Sequence, residues 1–455
     1  MSSALFFLAL GFLVSVVLTP WVIRLAHAGV GLDAADGARK FQAVPVPRLG
    51  GMPVMVALSV GLIVILLKQP AASSEWFPVL VGTALMYGLG IWDDVASLGA
   101  KRKLVGQIAI AALANWLGLS IEKFSLPGYG EVNLGGWSGP VTIFWLISIP
   151  NIVNLIDGFD GLAGGLGFFM AMTLGIVGYL TEHYAVTWFA FTMAGALLGF
   201  LVFNFPPAKI YLGDGGAYLV GFVIAALSMS SSHKGSIAVV LLVTILGLGL
   251  PILDTTFALL RRAVRGFPIF HADGEHFHHR LQEYGFSKRN ILFGLYGVCV
   301  LLSVLGLMIF WSKGHGRTIP IALGAGALFL LALAAVRHFH RVRSWQDAHR
   351  KVKHVLGRRQ IVHYALLQAK ILHLEVDRCS TPEEFWSVFE ETLERVGFGA
   401  EPEIEDPVRI ELRYNGSKPW VLYAPRAEGS EAEWLRIAEC FRPACMRAAA
   451  KWSDQ

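Results

Sequence analysis

From its start to about residue 337 the chain alternates long apolar runs with short polar connections. Crossing bilayer hydrocarbon takes about 17–25 residues of helix. Eleven runs reach or approach that length: 4–23, 51–68, 77–92, 104–120, 140–156, 162–180, 186–203, 216–231, 236–260, 291–311 and 318–337. The pattern therefore predicts an all-α polytopic membrane protein with about 11 transmembrane helices. The runs 140–156 and 162–180 are separated by a very short connection.

Beyond residue 337 the pattern changes. Residues 338–360 are basic and polar and predict a helical linker, and residues 361–455 predict a small soluble α+β domain. Ile361 to Val376 carries helical periodicity, and Thr381-Pro382-Glu383-Glu384 is a helix start with Thr as N-cap and Pro at the first position. Arg409–Tyr414 and Trp420–Tyr423 alternate like strands around an Asn415-Gly416 turn, and 431–451 returns to helical spacing. That order is distantly similar to a GAF-like domain. The expected division is a membrane domain at 1–337, the linker, and the soluble domain.

Composition agrees. The 455 residues are 55% hydrophobic and 16% charged, against about 25% charged in soluble chains. No Lys or Arg precedes the first run, so it is expected to remain as a span rather than be cleaved as a signal. Alternating sides from there collects Arg39, Lys40, Arg48, Lys101, Arg102, Lys103, Lys209, Arg261, Arg262, Arg265, Lys288 and Arg289 on one face of the membrane. The positive-inside rule makes that face cytoplasmic, together with the C-terminus. The net charge of +5 is accounted for by these loops, and no nucleic-acid partner is expected. Four cysteines give no disulfide framework.

Five polar motifs fall in the loops of that same face. Pro47-Arg48-Leu49-Gly50-Gly51 pairs a guanidinium with residues that allow close backbone approach, although a turn with ordinary positive-inside charges is the plainer reading. Asp93-Asp94, followed by Lys101, Lys103 and Gln107, can share a cation or divide metal and base roles. A solvated helix end explains them equally. Asn151, Asn154, Asp157 and Asp160 recur at steps of three, so they line one side of a helix leaving the membrane. Leaving such groups unpaired in apolar surroundings costs about 1–3 kcal/mol each, so a merely structural role is a poor explanation. Asn204, Lys209, Tyr211 and Asp214 lie in a Pro- and Gly-rich loop that opens the next helix, where anions are favoured. His276, His278 and His279 fit either a zinc site or contacts to a pyrophosphate. The hard oxygen donors elsewhere and the absence of nearby cysteine favour phosphate contact and magnesium.

Taken in order, PRLGG, DD with its Lys and Gln, NIVNLIDGFDGLAGG, FNFPPAKIYLGDGG and HADGEHFHHRL resemble glycosyl transferase family 4, the polyprenyl-phosphate N-acetylhexosamine-1-phosphate transferases. PRLGG and the HFHH loop are closer to the undecaprenyl-phosphate GlcNAc-1-phosphate branch than to the phospho-N-acetylmuramoyl-pentapeptide transferases. The resemblance covers about residues 4–337. It implies transfer of a sugar 1-phosphate from a UDP-sugar to undecaprenyl phosphate with release of UMP, in the bacterial inner membrane. Asp93, Asp94, Asp157, Asp160 and the three histidines would be catalytic. Arg48, Lys103, Asn151, Asn154, Asn204, Lys209 and Tyr211 would bind substrate. Asp214 and Asp94 would hold Mg2+, for which Mn2+ could substitute. The partners implied are the UDP-sugar, the lipid phosphate and membrane lipid, and a homodimer stays open. A transporter using intramembrane acids is the alternative from another class.

Overall fold

A computed structural model describes residues 2–27, 46–96, 98–126, 130–230, 237–249, 286–312, 345–399, 406–412, 420–425 and 431–452, with residues 252, 256 and 326 standing alone. The chain divides into two compact units. The described helices of the first are α1 (Ser2–His27), α2 (Gly51–Lys68), α3 (Ser73–Ala96), α4 (Ala100–Trp116), α5 (Ser138–Ile156), α6 (Leu162–Leu180), α7 (Tyr184–Asn204), α8 (Gly213–Ser230), α9 (Ile237–Gly247) and α10 (Lys288–Ser312). A short antiparallel hairpin, β1 (Lys123–Leu126) with β2 (Gly130–Asn133), links α4 to α5.

Among the described residues eight helices are long and apolar enough to cross a membrane. They correspond to the expected runs except three. Helix α4 has 17 residues, α9 has 11, and the run 318–337 lies outside the described residues apart from position 326. The protein is a multi-pass membrane protein, mostly helical.

Helix α8 is the centre of this unit. It is apolar all round, and every residue from Gly215 to Met229 is buried, as expected for a helix with no polar face. It packs against α2, α3, α5, α6 and α9. Helix α1 is the opposite case. Phe7, Gly11, Ser15, Thr19, Val22 and Ala26 are buried against the bundle, while Leu13, Val17 and Trp21 are exposed where lipid would lie. Gly195 and Gly199 of α7 let the backbone of α1 approach at Leu8 and Phe12, where any Cβ would collide with a carbonyl oxygen. This is the small-xxx-small mode by which helices associate in membranes.

The start of α2, the end of α3, the start of α4, the end of α5, the starts of α6 and α8 and the end of α7 all meet at one end of the bundle. Short connections alternate the helix directions, and so gather the polar motifs at that end.

The second unit has its own core. Its described elements are α11 (Trp345–Arg378), α12 (Pro382–Val396), the antiparallel pair β3 (Pro407–Leu412) and β4 (Trp420–Pro425), α13 (Glu431–Glu439) and α14 (Arg442–Lys451). Phe385, Phe389, Trp434 and Phe441 fill that core. Thr381 caps α12 by accepting from the Glu384 N–H at 3.3 Å, and Gly397 closes it at φ 106°. Two expectations shift, and a third falls outside the described residues. The linker is not separate where it is described, because α11 runs unbroken from Trp345 into the domain. The single helix 431–451 is two helices, divided by a turn at Cys440–Phe441 with Pro443 in the first turn of α14. The Asn415-Gly416 turn lies outside the described residues.

Candidate active site

The site is built on the N-terminus of α8. Backbone N–H groups in the first turn of a helix have no partner within it and carry its positive dipole end. Here acids from other helices supply the partners. Asp94, at the end of α3, accepts from Asp214 N–H through Oδ1 and from Gly215 N–H through Oδ2, each at 3.0 Å. Asp157, just past the end of α5, accepts from the Gly213 N–H. Two acids distant in sequence thus cap one buried helix.

Asp214 itself points between α4 and α5. Its Oδ1 accepts from Asn154 Nδ2 at 2.9 Å, and its Oδ2 from Lys103 Nζ at 2.8 Å. Lys103 also pairs with Asp93 Oδ2, so a single ammonium joins the acids of α3 and α8. The other oxygen of Asp93 accepts from Leu98 N–H at 2.7 Å, which fixes the turn into α4. Arg48 lies close enough to act electrostatically on both Asp94 and Asp157.

Close backbone packing makes this convergence possible. A Cβ on Gly90 would come within 2.5 Å of Gly215, so α3 and α8 meet backbone to backbone just before Asp93. The PRLGG segment is laced to the loop before α8. Tyr211 N–H donates to Pro47 O at 2.8 Å, Gly50 N–H to Tyr211 O at 2.9 Å and Gly51 N–H to Leu212 O at 3.0 Å. Gly213 adopts φ 76° there, and a side chain would strike the Arg48 carbonyl.

Asp157 lies outside the spans. Burial pushes its carboxyl well above the usual range, and the nearby charges of Asp214 and Asp94 push the same way; the Gly213 N–H and Arg48 oppose them. Asp93, Asp94, Asp157 and Asp214 outnumber the two cations Lys103 and Arg48. Among the described residues no three His, Cys, Asp or Glu side chains already stand as a metal cage. The donor chemistry nevertheless fits a hard divalent cation: oxygen donors dominate, negative charge is in excess, and Asp93 and Asp214 already gather about the Lys103 ammonium.

Other expected residues are placed differently. Asp160 accepts from Ala208 N–H at 3.4 Å and lies 3.7 Å from Lys288 of α10, forming a second polar group. Asn204 is buried. It accepts from Gly161 N–H at 3.0 Å and donates to Ile210 O at 2.8 Å, tying the loop after α5 to the loop after α7. Asn151 donates to Gln107 Oε1 at 2.7 Å and Ile147 O at 2.8 Å, joining α4 to α5. Tyr211 is half-buried and Lys209 exposed. His276, His278 and His279 lie outside the described residues.

Residues 76–232 match the model of glycosyl transferase family 4. The probable undecaprenyl-phosphate N-acetylglucosaminyl 1-phosphate transferase of Bacillus subtilis is 32% identical over 294 residues, 64% of this chain and 81% of that protein. The chain belongs to glycosyl transferase family 4. A decaprenyl-phosphate N-acetylglucosaminephosphotransferase of Mycobacterium leprae is 34% identical over 330 residues, 66% of this chain and 81% of that protein. A phospho-N-acetylmuramoyl-pentapeptide-transferase of Levilactobacillus brevis is 29% identical over 325 residues, 67% of this chain and 97% of its own. The family model spans most of α3 through α8 of the described bundle, so it covers Asp93, Asp94, Lys103, Asn154, Asp157 and Asp214 but not Arg48.

Sequence reasoning missed three features of this family 4 site. The capping of α8 by Asp94 and Asp157 depends on which helices are neighbours, and no local signal carries that. Lys288 and Arg289 at the start of α10 were legible only as loop charges, yet Arg289 Nε donates to Pro206 O at 3.2 Å. Tyr296, which donates from its hydroxyl to Gly161 O at 2.6 Å, had no signal at all in an apolar span.

Proposed function

We propose that the protein transfers GlcNAc 1-phosphate from UDP-GlcNAc to undecaprenyl phosphate, releasing UMP, at the cytoplasmic face of a bacterial inner membrane. The transporter reading falls with the family membership, which is that of sugar-1-phosphate transferases. The observation that carries the proposal is the Asp93–Lys103–Asp214 group seated on the N-terminus of α8 at one end of a membrane bundle. Exposed Trp92, Val95, Val105 and Ile108 on α3 and α4 border it. An anion-handling site beside lipid-facing surface suits a reaction between a soluble nucleotide sugar and a lipid phosphate. The gathering of the polar motifs at one end of the bundle and the basic residues expected in its loops support this orientation.

Both substrates are anions, so charge repulsion and developing charge dominate the barrier. Magnesium, when bound, would neutralise phosphate oxygens and the charge that develops on the leaving UMP. Asp214 is its main ligand in this reading. Both oxygens of Asp94 accept amide hydrogens at the start of α8, so Asp94 holds Asp214 on the helix end and shares the cation with it. Lys103 keeps Asp93 and Asp214 apart from free solvent and can turn to a phosphate. Asn154 orients Asp214. The lipid phosphate has a second pKa near about 6 and is largely dianionic at neutral pH, so little proton removal is needed. Asp93 therefore positions rather than deprotonates. A single in-line attack inverts configuration at phosphorus, and retention would reject it.

The test is UMP release by the purified full chain from a panel of UDP-sugars with undecaprenyl phosphate. UDP-GlcNAc is expected to be the best donor, with activity lost in EDTA, restored by Mg2+ and supported by Mn2+. Absence of UMP release with every donor would overturn the assignment.

A further inference from the structure

Gly161 and Gly165 stand one turn apart at the start of α6, with Phe169 one turn further on. Tyr296 of α10 lies in the notch the two glycines leave. A Cβ on Gly165 would strike its ring, and a Cβ on Gly161 would come within 3.4 Å of its hydroxyl. Phe169 meets the ring at 72°, 5.3 Å between centroids. The Tyr296 hydroxyl donates to Gly161 O at 2.6 Å, while the Gly161 N–H donates to Asn204 Oδ1 at 3.0 Å. Gly161 is thus gripped through both backbone groups, at φ 80°, where a side chain would be strained. Tyr296 belongs to a stripe. Arg289, Phe293 and Tyr296 follow at steps of four and three, which puts them on one side of α10. Arg289 Nε donates to Pro206 O at 3.2 Å, and Phe293 packs on Phe205 at 5.7 Å between centroids. One side of α10 therefore spans the loop after α5 and the loop after α7.

We propose that Tyr296 is a positioning residue, whose hydroxyl holds residues 157–161 in the form that receives the soluble donor. Asp160 directly precedes Gly161, and Asp157 lies four residues before it. Asp157 in turn accepts from the Gly213 N–H at the start of α8. Movement of the Gly161 backbone is therefore felt by both acids. Packing alone would be served by a phenylalanine, whose ring fills the same notch. The hydroxyl adds only the grip on Gly161 O, which otherwise keeps its helical partner, the Gly165 N–H at 2.9 Å. The apolar side chains that border the acid group, Trp92, Val95, Val105 and Ile108, stand on α3 and α4. The lipid acceptor enters at that edge, and the loop after α5 serves the nucleotide sugar. Tyr296 then governs affinity for the donor and not for the acceptor. The inference rests on the transferase reading.

The test is Tyr296→Phe in the full chain, purified in detergent. Its KM for UDP-GlcNAc is expected to rise about fivefold, the equivalent of one ordinary hydrogen bond. The KM for undecaprenyl phosphate and the melting temperature should change little. Asn204→Ala releases the other side of Gly161, so adding Tyr296→Phe to it should raise the donor KM by less than Tyr296→Phe does alone. Hydrogen exchange gives a readout that needs no turnover. Amides in residues 158–165 should exchange faster in Tyr296→Phe, and those in residues 51–60 of α2 should not. Wild-type exchange over residues 158–165 would overturn the grip on Gly161. Faster exchange with an unchanged donor KM, or with an equal rise for both substrates, would overturn the positioning role and leave Tyr296 as packing. Full additivity with Asn204→Ala would also count against it. A wild type that releases no UMP from any donor is a different failure, since it overturns the transferase reading and the positioning role together.

Discussion

Asp94 and Asp157 both serve the first turn of α8, yet they answer different demands. Asp94 satisfies two amides at 3.0 Å each, and removing a helix cap costs about 1 kcal/mol, up to ~2. Asp94→Ala should therefore lower the melting temperature and also reduce activity, since Asp214 loses its anchorage. Asp94→Asn keeps one acceptor and should recover part of the stability. Equal melting of all three proteins would remove the capping role. Asp157 is strained electrostatically. Its folded pKa lies above the unfolded value, so the folded state binds the proton more tightly. Stability must then fall as pH rises from the ordinary carboxylate range, near about 4, towards the raised value. Asp157→Asn retains an oxygen for the Gly213 N–H and discards the charge. It should melt at or above the wild-type temperature at pH 7 with a flatter pH profile, while losing UMP release. Magnesium should raise the wild-type melting temperature more than that of the variant. A clear drop in the variant's melting temperature at pH 7 would count against this account. Asp93→Asn tests positioning against base catalysis, since a loss of activity that persists at pH 8.5 supports positioning and rescue there would sink it.

At the scale of elements, the Gly90–Gly215 approach determines whether the acids of α3 reach α8 at all. Gly90→Ala adds one methyl against backbone that cannot rotate away. Overpacking of this kind costs about 1–3 kcal/mol. We expect a lower melting temperature and at least tenfold less UMP release, although no charged group is touched; wild-type kinetics in this variant would show that the contact is loose. The same contact explains what the sequence could and could not reveal. Apolar runs located the spans well, because burial and lipid exposure both demand apolar residues along their length. Asp93, Asp157 and Asp214 were legible because acids beside a membrane need a reason. Their pairing with Lys103, and the use of Asn204 and Asn151 as ties between helices, were not. Those depend on which helices lie side by side, and glycines that permit close approach read identically wherever they occur in a span. In the second unit, Thr381 marked the start of a helix by local chemistry alone. The break at Cys440–Phe441 was hidden because the apolar spacing continues through it.

At the scale of the molecule, the two units carry separate buried cores, one running through α1 to α10 and the other gathered on α11 to α14 and the β3–β4 pair. Among the described residues, the acid group from Arg48 to Asp214 is built on the first. A chain ending at residue 340 should therefore still fold around α8 and release UMP, within a few-fold of the full chain per active site in detergent. The comparison separates two meanings of the second unit. If it is accessory to the reaction, the truncated chain keeps its turnover and its affinity for UDP-sugar. If it takes part in catalysis, turnover falls more than tenfold while the melting temperature of the remaining bundle is unchanged. Measuring turnover and melting on the same preparation keeps a misfolded fragment from passing as an inactive one. The self-contained core and the position of the described acid group within residues 46–230 favour the first outcome.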